Sequence, residues 1–113
     1  MARPKLSVPE GIRRLALALP EATEEVTWGD VNYRVRKKIF CFPGAEAMTV
    51  KADRDELPAL LADERVTPAP YLARGGWIAI ELGARPDWVE VEELITTSYC
   101  LIAPKTLGRL VQC

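Results

Sequence analysis

The sequence predicts an α+β domain in which an antiparallel sheet of about five short strands packs on helices. Three observations carry that prediction. Apolar residues recur at helical spacing near the start, the period shifts toward two between Val26 and Lys51, and a helical period returns after Asp87.

The first helix opens at Ser7, with Glu10 three residues later as a capping-box pair, and carries Ile12, Leu15, Ala16 and Leu19 on one face. Pro20 ends it, and Arg13 and Arg14 fall on the solvated side. Val31, Tyr33 and Val35 then alternate with Asn32, Arg34 and Arg36, the Arg36-Lys37-Lys38 segment offers a polar turn, and Phe40 and Phe42 alternate with Ile39 and Cys41 before Pro43-Gly44. This reads as a hairpin. A third strand, Ala47 to Lys51, extends it into a meander. Asp55 is the expected cap of the next helix, because Pro58 is tolerated only in a first turn, where its missing N–H costs nothing. Thr67-Pro68-Ala69-Pro70 reads as an extended edge, since proline gives up ladder donors. After a Gly75-Gly76 turn, Trp77 to Leu82 is the clearest strand, with Ile78, Ile80 and Leu82 on one face. Asp87 and Glu90 cap a helix that buries Val91, Leu94, Ile95, Ser98 and Ile102, and Lys105 to Val111 forms a short helix beyond Pro104.

The 113 residues suffice for one core, expected as a single domain over 1–113, and 49% apolar with 27% charged residues is ordinary globular usage. No apolar run is long enough to span a membrane, and Met1–Lys5 lacks the look of a secretory signal, so the expected location is the cytoplasm. Cys41 and Cys100 read as small core hydrophobes and Cys113 as a terminal thiol. Histidine is absent, which removes the commonest general base and metal ligand. No catalytic residue, metal site or cofactor is expected.

Net charge is −1, but residues 1–54 hold ten Lys/Arg against seven Asp/Glu, and residues 55–113 hold five against nine. The first half is basic and the second acidic. Arg34, Arg36, Lys37 and Lys38 sit on the hairpin with no acidic residue among them, and alternation points all four toward solvent, where they would lie along a phosphate backbone. Arg74, beside the Gly-rich turn, offers a second wing. The plainer reading is that edge charges prevent strands of different molecules from pairing. Among the aromatics, Trp77 and Tyr99 are the candidate lining of a ligand cleft, although tryptophans and tyrosines more often belong to the core or its rim. The carboxylates from Asp53 to Glu64 are explained by capping and solvation.

A helix ending Leu19-Pro20-Glu21, the Trp28-Gly29 pair, Lys38-Ile39-Phe40, the Gly76-Trp77 strand start and Ser98-Tyr99 within a late helix together resemble the bacterial MmcQ/YjbR family over residues 10–110. The resemblance implies a two-layer CyaY-like fold and a domain often labelled as DNA-binding. Gly76 stands where many members have histidine, so no imidazole role carries over.

Two functions follow as expectations. One is a nucleic-acid-binding or regulatory module that contacts DNA through Arg34, Arg36, Lys37 and Lys38, with Arg74. The alternative is a protein-interaction or small-ligand module, without catalysis, using the acidic half or a cleft near Trp77 and Tyr99.

Overall fold

The computed structural model describes residues 7–113, so the reading of Met1–Lys5 lies outside the described residues. Helix α1 (Val8–Leu17) starts where predicted, with the Ser7 hydroxyl accepting from the Glu10 amide at 3.3 Å. Strands β1 (Thr23–Thr27), β2 (Asp30–Val35), β3 (Lys38–Pro43) and β4 (Ala47–Lys51) form an antiparallel meander. Helix α2 (Leu57–Leu61), edge strand β5 (Val66–Pro68) and β6 (Trp77–Glu81) follow, then α3 (Trp88–Ile102) and the short α4 (Lys105–Gly108). The sheet has six strands in the order β1-β2-β3-β4-β6-β5, one more than the sequence predicted. The additional strand is β1, whose Thr-Glu-Glu-Val-Thr sequence carries no apolar alternation because nearly all of it faces water at the sheet edge.

Helices α1 and α3 cover one face of the sheet and touch each other. Tyr33, Cys41, Val50 and Ile78 line up across β2, β3, β4 and β6 by register, and with Val35, Phe40, Met48 and Ile80 they form the floor of the core. Ile12, Ala16, Val91, Ile95 and Tyr99 supply its roof. Trp88, the first residue of α3, lies across Gly11 so closely that a Cβ there would overlap its six-membered ring. Only glycine lets α1 and α3 meet at that crossing.

Several local expectations are corrected. Asp55 is not the α2 cap: Glu56 occupies that position without a side-chain bond, and the Asp53 carboxylate instead accepts from the Asp55 amide at 2.9 Å, which turns the chain one step earlier. Pro58 does lie in the first turn. The hairpin turn is Arg36-Lys37 alone, both with positive φ (49° and 69°), and Lys38 already belongs to β3. The type I′ pattern matches the twist of the flanking strands. The β1–β2 connection repeats it at Trp28-Gly29 (55° and 80°). Cys100 and Cys113 are joined in a disulfide with Cα atoms 5.5 Å apart, in place of a core cysteine and a lone thiol, because the chain turns back after α4 and brings position 113 onto α3. Cys41 is free and buried, and burial pushes its thiol up to about 12.

Candidate functional site

The β2–β3 hairpin places its four cations differently from simple alternation. Arg34 does not extend into solvent. Its side chain lies along the sheet, only 22% exposed, with Nε 3.0 Å from Glu25 Oε2 and 2.8 Å from Asn32 Oδ1, and Nη2 2.9 Å from Thr27 Oγ1. Arg34 is thereby committed to fastening β1 onto β2. Arg36 is exposed but clamped: Nε and Nη2 reach the two oxygens of Glu21 at 2.7 and 3.0 Å. This bidentate pair holds the Glu21 carboxyl below its ordinary value and raises the already high value of the guanidinium. Both partners are exposed, so water screens the pair and it contributes little to stability.

Lys37 and Lys38 are exposed and make no salt bridge among the described residues. Lys38 and Arg36 form one wall of a groove of about 500 Å³ whose other wall is Ile102, Ala103, Pro104 and Lys105, at the end of α3 and start of α4. Lys105, which sequence reasoning passed over, is therefore brought to the hairpin from more than sixty positions away. Its only sequence signal was a cation just after a helix-breaking proline. Arg74 stands at the same end of the sheet, because β3 and β6 run parallel, but β4 and β6 separate it from the hairpin. Its carbonyl accepts from Arg54 at 3.3 Å.

Trp77 and Tyr99 are not brought together. Trp77 is half-buried and packs edge-on against Phe42 with ring centroids 5.9 Å apart. Tyr99 is fully buried, edge-on to Phe40 at 5.4 Å, and donates to the Pro20 carbonyl at 2.7 Å. Burial, with Glu21 nearby, raises its phenol above the ordinary value. Two aromatics do leave the core: Trp28 is 97% exposed at the β1–β2 turn, and Tyr71 is fully exposed.

A larger groove, about 690 Å³, lies between α2, β5 and α3. Leu60, Val66, Ile80 and Leu94 form its apolar floor, and Glu56, Asp63, Glu90, Glu92 and Glu93 its rim. Arg65 is bound on both sides there, 2.9 Å from Asp63 Oδ2 and 2.9 Å from Glu90 Oε1, and its guanidinium holds the Asp63 carboxyl below the ordinary value. Among the described residues no group of three or more His, Cys, Asp or Glu is placed to hold a metal ion.

Comparison with known proteins bears on this arrangement. The YjbR family model matches residues 17–101, which runs from the end of α1 through the Ser98-Tyr99 pair of α3. The chain belongs to the YjbR family. The crystal structure of Deinococcus radiodurans protein DR2400, which carries a DUF419 domain, superposes with a TM-score of 0.77 at 15% identity, covering 98% of this chain and 92% of that one. At that identity the likeness concerns the fold of this YjbR-family domain. No curated protein matches. No helix of the described residues is long and apolar enough to cross a membrane.

Proposed function

We propose that this YjbR-family domain is a non-catalytic cytoplasmic module that contacts the phosphates of a nucleic acid through the groove between the β2–β3 hairpin and the α3–α4 junction. The observation that supports it is that Lys38 and Lys105 stand exposed on the two walls of one groove, with Lys37 exposed in the adjoining turn, all three without a salt bridge among the described residues, while Arg34 and Arg36 are already paired. Three lysines give affinity without base selection, with a log–log salt slope of about −3. The test is anisotropy titration of labelled duplex and single-stranded DNA at two salt concentrations, with the Lys37→Glu, Lys38→Glu, Lys105→Glu triple variant beside the wild type. Salt-dependent binding that the variant loses supports the reading, and absence of binding at low salt defeats it.

A second reading is favoured by the larger groove. Its acidic rim and apolar floor complement a basic, amphipathic segment of a protein partner, in which case Glu92 and Glu93 carry the contact and the lysine variant binds normally.

A further inference from the structure

We propose that the Cys100–Cys113 bridge is a reversible thiol–disulfide site, acted on by a dithiol reductant, that latches one wall of the basic groove in place. The inference rests on that groove being the binding surface. The covalent loop from position 100 to 113 encloses Ile102, Ala103, Pro104 and Lys105, which is the whole of the wall facing the hairpin.

Apart from the bridge, this segment is held by Leu107 in the core, by Ile102, Ala103 and Val111 packed against that core, and by backbone bonds of its own turns. Helix α4 has four residues and no side-chain cap, and neither Lys105 nor Arg109 forms a salt bridge among the described residues. So short a helix is not stable by itself and depends on what packs or ties it. Leu107 and Gly108 are buried, and the Cys113 sulfur rests on Gly108, near enough that a Cβ there would stand 3.2 Å from it. Gln112 takes a left-handed conformation (φ 57°) and the Cys113 amide returns to the Gly108 carbonyl at 3.1 Å. The chain reversal, the backbone bond and the bridge therefore act together at one point.

The bridge is also accessible. Cys113 is exposed and Cys100 half-buried, while Cys41 is fully buried and cannot exchange with either without unfolding. In a reducing compartment an exposed bridge of this kind is a regulatory rather than a permanent link. A thiolate of the reductant attacks the Cys113 sulfur. The S–S bond breaks, its electron pair leaves on the Cys100 sulfur, and that sulfur takes up a proton. The second thiol of the reductant then attacks the mixed disulfide and releases Cys113 as a thiol. Two electrons pass to the bridge, and the reductant leaves as its own disulfide.

The test compares the full chain oxidised, reduced with dithiothreitol, and as Cys113→Ser and Cys100→Ser, the thermal midpoint of each variant first confirming that it is folded. Two readouts are taken: amide hydrogen exchange over residues 103–113, and anisotropy with a labelled DNA duplex at low salt. Reduction is expected to speed exchange in that segment about tenfold. If the wall is then formed in about a third of molecules, apparent Kd rises about threefold. Reoxidation restores both, and each serine variant behaves like the reduced wild type. Unchanged exchange on reduction overturns the latch, as does failure of the bridge to form in a glutathione disulfide buffer. Binding that Lys105→Glu weakens but reduction does not overturns the control of the groove while leaving the groove itself standing. No binding in any state removes the groove reading, and the exchange comparison alone then decides the latch.

Discussion

The Ser98 hydroxyl donates to the Phe40 carbonyl at 2.6 Å and accepts from the Lys51 amide at 2.9 Å, so a side chain of α3 completes the hydrogen bonding between two strands. The geometry follows from a bulge. Tyr33 pairs with Cys41 and Arg34 with Ile39, which leaves Phe40 as the extra residue of β3, and the β3–β4 ladder stops at the Cys41–Val50 pair. Ser98 fills the place where the next rung would be. The sequence places Ser98 on the buried face of α3 but not this role, which depends on a register shift that no local pattern reveals. Ser98→Ala leaves a buried carbonyl and a part-buried amide without partners and is expected to cost about 2–3 kcal/mol. Urea denaturation measures it, and a loss below about 0.5 kcal/mol would mean that water replaces the hydroxyl.

Lys37 sits in the left-handed region at φ 69° in a two-residue turn, where glycine is preferred. Lys37→Gly is expected to raise stability by about 1 kcal/mol by removing the side-chain clash of that conformation. The same change is expected to weaken DNA binding, because it deletes an unpaired cation. Urea melts and anisotropy on one preparation check both, and opposite movement of the two quantities marks the turn as strained for its contact.

Glu21 neutralises Arg36 at the groove wall. Glu21→Gln frees the guanidinium and is expected to make the salt slope of DNA binding steeper by about 0.9. The pH dependence has a definite sign. The native Glu21 carboxyl is held below its ordinary value of 4.5, so its ion pair contributes above that pH and the contribution is lost as pH falls through the native value. Urea midpoints followed from neutral pH to below 4.5 are therefore expected to fall slightly less in the variant than in the wild type.

Gly11 gives Trp88 its seat. Gly11→Ala improves intrinsic helix propensity but drives a methyl into the indole, and the overlap is expected to win, with a net loss of about 1–3 kcal/mol. The double variant Gly11→Ala, Trp88→Leu, which replaces the ring with a smaller side chain, is expected to recover part of that loss. Failure to recover would place the cost outside this contact.

Much of the fold is legible from local chemistry. The Ser7 and Asp87 caps, the inward set Ile78, Ile80 and Leu82, and the edge position of Thr67-Pro68 all appear where residue type and spacing predict. What escapes reading is set by register between distant residues. Glu25 meets Arg34 and Glu21 meets Arg36 because β1 folds back on β2, and β1 carries no periodic signal. A run of four cations that looks uncompensated in the chain is half neutralised in space. Lys105 joins the survivors for the same reason, and Cys100 and Cys113 become partners through a chain reversal at a non-glycine left-handed residue, Gln112.

The strand order β1-β2-β3-β4-β6-β5 divides assembly into quick and slow steps. Each of the first three pairings joins neighbours through a short turn, so the meander closes small loops at little entropic expense and can zip early. Docking β6 against β4 must span α2 and β5, and the Ser98 bridge to Phe40 spans 58 residues. The arrival of α3 on a preformed meander is therefore the step expected to limit the rate, and Ser98→Ala is expected to slow folding more than it accelerates unfolding, which stopped-flow refolding and unfolding in urea check.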